Sequence, residues 1–224
     1  MFTTAWIISV ALLIVSFVGL VLCALLFTKP VDEYKFSFMR VFPFEALKTK
    51  ENSGKFYSFF TYLFAGMCFS PLLIIVGQKS DLSALNPLSI LITCCLGLAG
   101  LCFIFLNVFD VTHVKPHLSL FVVFAGLIIL SGALIFSRGL TAYNTFADHG
   151  HKEILFLLTE ILAGLSVVYS LLFVLNPKLK SWAVLDNVDG EYKRPKRFVL
   201  AYSEWGLLLA LFFNEIIFFI QLLK

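Results

Sequence analysis

The chain has 224 residues, of which 60% are hydrophobic and 14% charged, with 26 phenylalanines and a mean hydropathy of +0.94. An ordinary soluble domain carries roughly 25% charged residues, so this chain lacks the polar side chains needed to cover a water-exposed surface. The net charge of +3 fits basic loops lying against anionic headgroups, and no nucleic-acid partner is expected.

The apolar residues come in unbroken blocks of about twenty, the length an α-helix needs to cross hydrocarbon. Six blocks qualify, approximately 6–27, 56–77, 88–109, 118–137, 154–175 and 198–222. Strands of a membrane β-barrel would be about ten residues long and alternate apolar with polar, which these runs do not. The expected fold is all-α: a polytopic membrane helix bundle of six transmembrane helices forming one domain over 1–224. The longest connections, 28–55 and 176–197, are too short to bury a core of their own. Any chemistry therefore belongs inside the bundle or at its rim.

In chain order, the first block starts without a preceding side-chain charge and runs into Lys29-Pro30, which reads as a retained signal-anchor. Connection 28–55 interleaves Tyr34, Phe36, Phe38, Phe42 and Phe44 with polar residues; it is expected to lie in the interface as a tether or to dock a partner membrane subunit. Pro71 after Ser70 predicts a kink in the second span. All five cysteines, Cys23, Cys68, Cys94, Cys95 and Cys102, fall within spans and are expected to be small buried hydrophobes. Pro30, Pro116 and Pro177 stand in the first, third and fifth connections, where proline is expected to stop a helix. The fourth span carries Gly126 and Gly132 and no ionisable group between His117 and Arg138, which suggests a central position in the packing. In the fifth connection, Trp182 and the run 192–197 read as aromatic and basic anchors to a leaflet.

Basic residues are retained on the cytoplasmic side of a span. Six lie in the first connection (Lys29, Lys35, Arg40, Lys48, Lys50, Lys55), one in the third (Lys115) and six in the fifth (Lys178, Lys180, Lys193, Arg194, Lys196, Arg197). Only Lys79, Arg138, Lys152 and Lys224 lie on the other side. The expected topology is N-out/C-out. That bias and the lack of an N-x-S/T sequon suggest a bacterial cytoplasmic (cell) membrane.

Ionisable groups inside a span cost roughly 2.5–3.5 kcal/mol each at its centre, so Glu160, Glu204 and Glu215 carry most of the functional signal. By position, Glu160 and Glu215 each sit about two turns from the outer end of adjacent antiparallel spans, roughly 10 Å deep. Facing each other, they would hold a shared proton, a cation or a polar solute, with Asn214 beside them, Arg138 as counter-charge, and Asp148, His149 and His151 at the outer mouth. The plainer alternative is two separate glutamates that tie helices together. Glu204 shares a stripe with Glu215 and is expected to pair with Arg197, Lys196 or the Asp110 end of the third span, so that Asn107, Asp110, Glu204 and Arg197 form a polar cluster at the cytoplasmic rim. The histidines are too scattered for a single metal site, and neither metal nor cofactor is expected. No nucleophile-elbow, phosphate-loop or dinucleotide motif occurs.

Together these features suggest a non-catalytic, transport-associated or accessory subunit whose partners are the lipid bilayer and a membrane subunit docked through 28–55. The alternative is a membrane-embedded enzyme acting on a lipid or isoprenoid at the cytoplasmic rim.

Overall fold

The computed structural model describes residues 2–26, 36–47, 52–78, 86–109, 114–146, 152–181, 186–188, 191–193 and 197–222. The chain folds as α1 (Phe2–Leu25), α2 (Pro43–Leu47), α3 (Asn52–Met67), α4 (Ser70–Gln78), α5 (Pro87–Val108), α6 (Val114–Phe146), α7 (Lys152–Val174) and α8 (Val199–Gln221). Between α7 and α8 lie a 3-10 turn, Pro177–Ser181, and a ribbon of β1 (Asp186–Val188) and β2 (Glu191–Lys193). Six helical stretches are long and apolar enough to cross a membrane: Thr4–Leu25, Asn52–Gly77, Pro87–Val108, Lys115–Thr141, Leu157–Val174 and Val199–Gln221.

The second of these is bent where expected. Pro71 has no amide hydrogen to give the Met67 carbonyl, and the Ser70 hydroxyl donates to that carbonyl instead at 2.7 Å. The break separates α3 from α4, with Phe69 N–H reaching Gly66 O across a tighter turn. α5 starts on Pro87, with the Asn86 side chain accepting from Leu88 N–H at 3.0 Å; this pairing of an N-cap asparagine with a first-position proline satisfies one otherwise unpaired amide.

Two expectations are corrected. Pro116 does not delay the fourth span: α6 begins at Val114 and runs for 33 residues. Proline is tolerated in the first turn because those amides have no helical partner anyway. Nor is the fourth span the centre of the packing. α5, α6 and α7 continue an arc begun by α1 and α3, and α8 lies inside it, against α1, α5, α6 and α7. Of the α8 span 72% is buried, against 39% for α6 and 28% each for α1 and α7. Gly126, expected to bring a neighbour close, faces open space, whereas a Cβ on Gly100 would stand 3.1 Å from the Ala65 Cα; the close backbone approach is between α3 and α5.

The connection before α3 is also not confined to the surface. Residues Val41, Phe42, Phe44 and Ala46 are at most 4% exposed, so this stretch plugs the end of the bundle that carries most of the basic residues. Phe198 N–H donates to Met39 O at 2.6 Å and Trp205 Nε1 to Val41 O at 2.9 Å, fastening the plug to the start of α8. The fifth connection contains the β1–β2 ribbon, paired Asp186↔Lys193 to Val188↔Glu191. The sequence between its strands, Asp189-Gly190, is a dipeptide favoured in two-residue hairpin loops.

Candidate functional site

The polar side chains that bond from one span to another form three groups along α8 among the described residues. At the basic end, His117 and Glu204 are 0% and 2% exposed and meet at 2.7 Å, Nε2 to Oε1. The other ring nitrogen, Nδ1, lies 2.5 Å from the Phe109 carbonyl at the end of α5. A carbonyl only accepts, so Nδ1 carries a hydrogen. One proton is left between Nε2 and the carboxyl group, and the pair is neutral overall whichever atom holds it. The Phe42 and Phe44 rings stand edge-on to the imidazole at 6.2 and 5.9 Å. Glu45 reaches back to Phe42 N–H at 2.8 Å, half of a capping box that holds the plug helix α2 in place. Tyr57, fully buried on α3, lies within electrostatic reach of Glu204, with the Thr61 hydroxyl as its polar neighbour.

This arrangement differs from the rim cluster expected from the sequence. Glu204 is paired with His117, not with Arg197. Starting α6 at Val114 turns His117 onto α8, while Arg197 precedes the helix and is exposed. Asn107 folds back on its own helix, donating to Phe103 O at 2.8 Å, with its buried oxygen unpartnered. Asp110 lies outside the described residues, as do Asp148, His149, His151, Trp182 and Lys196.

In the middle of the bundle Asn214 joins three helices. Its oxygen accepts from Ser166 at 2.6 Å, and its amide donates to Ile128 O at 3.0 Å and to the Ser131 hydroxyl at 3.1 Å. Toward the opposite end, Arg138 donates from Nε to Ser89 at 3.2 Å and from Nη1 to the Gln221 backbone oxygen at 3.0 Å and side-chain oxygen at 3.3 Å. Its guanidinium also lies 5.7 Å from the Phe218 ring centroid, a cation–π distance. Gln221 in turn donates to Ile135 O at 3.1 Å.

Glu160 and Glu215 are both buried, at 4% and 0% exposure, but they are not brought together. Glu160 packs against Gly139 alongside the Gln221 amide. Gln221 is six residues beyond Glu215, about 9 Å along the axis and about two-thirds of a turn round it. Glu215 turns the other way, toward the α3–α4 break, where Cys68 is its polar neighbour. Among the described residues, both Glu215 oxygens and Glu160 Oε1 are buried without a close hydrogen-bond partner. Arg138 is the counter-charge of neither; among the described residues it makes no ion pair. The expected carboxylate pair assumed equal depth from equal distance to the span ends, and the rotation about α8 undoes it.

His117, Tyr57, Ser89, Ser166 and Gln221 are among the members that the sequence reading missed. His117 had a usable signal: a histidine and a glutamate at the same end of two apolar blocks. Treating Pro116 as a boundary placed the imidazole outside the helix. Among the described residues no three His, Cys, Asp or Glu side chains converge as metal ligands. Among the described residues, clefts of about 620 and 400 Å³ open on the outside of the bundle. The first is bounded by α1, α7, α8 and the plug, the second by α7 and α8, and both have mainly apolar walls. No family model matches the chain, and neither a curated protein nor a solved structure is detectably similar to it.

Proposed function

We propose that the chain is a six-span integral membrane protein acting as a non-catalytic, transport-associated or accessory subunit, N-out/C-out in a bacterial cytoplasmic membrane. One observation carries the reading: the polar contacts between spans join one helix to another, as His117–Glu204, Asn214–Ser166 and Arg138–Gln221 do, and the clefts described above present mainly apolar walls outward. Such groups join helices in lipid, and outward apolar surface suits lipid or a neighbouring subunit. The competing reading, an enzyme acting on a lipid or isoprenoid at the cytoplasmic rim, needs Glu204 to reach a substrate. Glu204 is 2% exposed and its partner His117 is 0% exposed.

Purification in a mild detergent with a stoichiometry measurement tests the accessory role. The expected result is a second membrane polypeptide at fixed ratio, reduced by Met39→Glu in the partly exposed part of the 28–55 connection. A chain that remains alone in native-like lipid discs overturns it. A second reading, proton or cation handling, rests on the buried Glu215 oxygens, which lack a strong donor among the described residues. Uptake into liposomes that falls with Glu215→Gln would favour it, and flux unaffected by both Glu215→Gln and Glu160→Gln would remove it.

A further inference from the structure

The arc of helices around α8 has two ends, α1 and α7, and the larger cleft opens between them. Its deep wall is apolar, with Phe17 and Val21 from α1 and Leu209 from α8, while Arg197 and Tyr202 stand at its basic end. From Arg197 to Leu209 the wall spans twelve residues, about 18 Å, against about 15 Å for half of a hydrocarbon core. The volume of about 620 Å³ lies within the roughly 300–1,000 Å³ of small-molecule sites.

The polar mouth is built rather than incidental. Tyr202 Oη accepts from Asn176 at 2.8 Å and keeps its own hydrogen to donate. Arg197 is exposed and, among the described residues, has no ion-pair partner. The adjoining wall is fixed by Phe198 N–H to Met39 O and by the Phe38 ring, edge-on to Trp205 at 5.1 Å. A guanidinium and a hydroxyl above a one-leaflet-deep apolar slot match one chemistry: an anionic headgroup with an acyl chain below it.

We propose that this cleft is a binding site for one anionic phospholipid of the leaflet at the basic end, its phosphate on Arg197 and Tyr202 and an acyl chain along α8 toward Leu209. The proposal rests on the membrane-spanning reading and goes beyond it, since it separates one held lipid from the lipid that merely surrounds the bundle. A neighbouring subunit's helix is the competing occupant, but Arg197 at the mouth favours an anion.

Trp205 lines the cleft and reports on its occupant. With Trp6→Phe and Trp182→Phe as background, the protein is reconstituted in phosphatidylcholine vesicles containing bromine-labelled phosphatidylglycerol or bromine-labelled phosphatidylcholine at equal mole fraction. Quenching of Trp205 should favour the anionic lipid by about fivefold, the worth of one basic side chain near a membrane surface. Arg197→Gln should bring the ratio close to one without abolishing quenching. Leu209→Trp is avoided as a second fluorophore; Leu209→Phe, filling the deep end, should lower quenching by both lipids. Equal quenching by the two lipids, or a preference that survives Arg197→Gln, overturns the site. So does an unquenched Trp205 in protein that floats with the vesicles, the result expected if a helix fills the cleft. Protein that does not float overturns the membrane reading and the site with it. Native mass spectrometry of the unaltered chain gives an independent reading, with one phosphatidylglycerol expected to be retained over phosphatidylcholine.

Discussion

Glu204 and Glu215 lie on the same stripe of α8, eleven residues apart in the sequence, both essentially buried, yet their surroundings are opposites. Glu204 meets an imidazole whose far nitrogen is itself held by a carbonyl. Among the described residues, Glu215 has no strong donor at either buried oxygen, only the weakly donating Cys68 thiol beside them. A buried polar group costs little when its partners are complete and a great deal when they are not. The first glutamate therefore contributes to holding α6, α8 and the plug together, and the second is carried against the stability of the fold. Their common helix face makes the contrast a controlled one.

Breaking the satisfied end should have the largest effect. His117→Leu leaves the Glu204 carboxyl without its imidazole partner and should cost about 3 kcal/mol, the loss seen when one member of a buried pair is removed. Reversible unfolding in mixed detergent measures it. The double variant His117→Leu with Glu204→Leu should recover most of that loss, because neither orphan carboxyl nor orphan imidazole remains. Equal destabilisation by the single and double variants would show that the pair has no coupling. A packing control separates polar from steric effects: Gly100→Val, facing the Ala65 backbone at 3.1 Å, should cost about 2 kcal/mol. Gly126→Val, in open space, should be close to neutral.

The six apolar blocks were legible because an apolar run of span length has few alternatives. Pro71 was legible as well, since a missing amide hydrogen acts locally. The partners of the polar residues were not. Pairing depends on rotation about each helix, and an error in one boundary propagates: Pro116 read as a stop hides His117. Depth alone put Glu160 level with Glu215, whereas Glu160 packs beside Gln221. Small residues told of close approach without naming the neighbour, so Gly126 looked like Gly100. The buried plug at 41–46 was invisible for another reason. Its aromatic alternation suits an interface and a protein interior equally well.

In the middle of the bundle, Asn214→Leu tests a polar group with three bonds to two neighbouring helices. Hydrogen bonds between helices in lipid average about 0.6 kcal/mol, so the loss should be about 1.5 kcal/mol. Unfolding by the same method checks it, and a loss as large as that of His117→Leu would place the weak point of the bundle at its middle.

The smallest shift is expected at Glu215, and it is the most informative. Glu215→Leu replaces a weakly partnered carboxyl by an apolar group of similar size, so stability should be unchanged or slightly higher. A loss comparable with that of His117→Leu would mean that the carboxyl is bonded after all, with Cys68 the first group to test by Cys68→Ala. A chain that becomes no less stable but loses its partner or its flux would give the opposite lesson. A buried ionisable group in a span is costly and is a functional candidate by default. The stability of the Glu215 variants and the activity of the assembled protein, measured side by side, thus separate a structural glutamate from a working one on a single helix face.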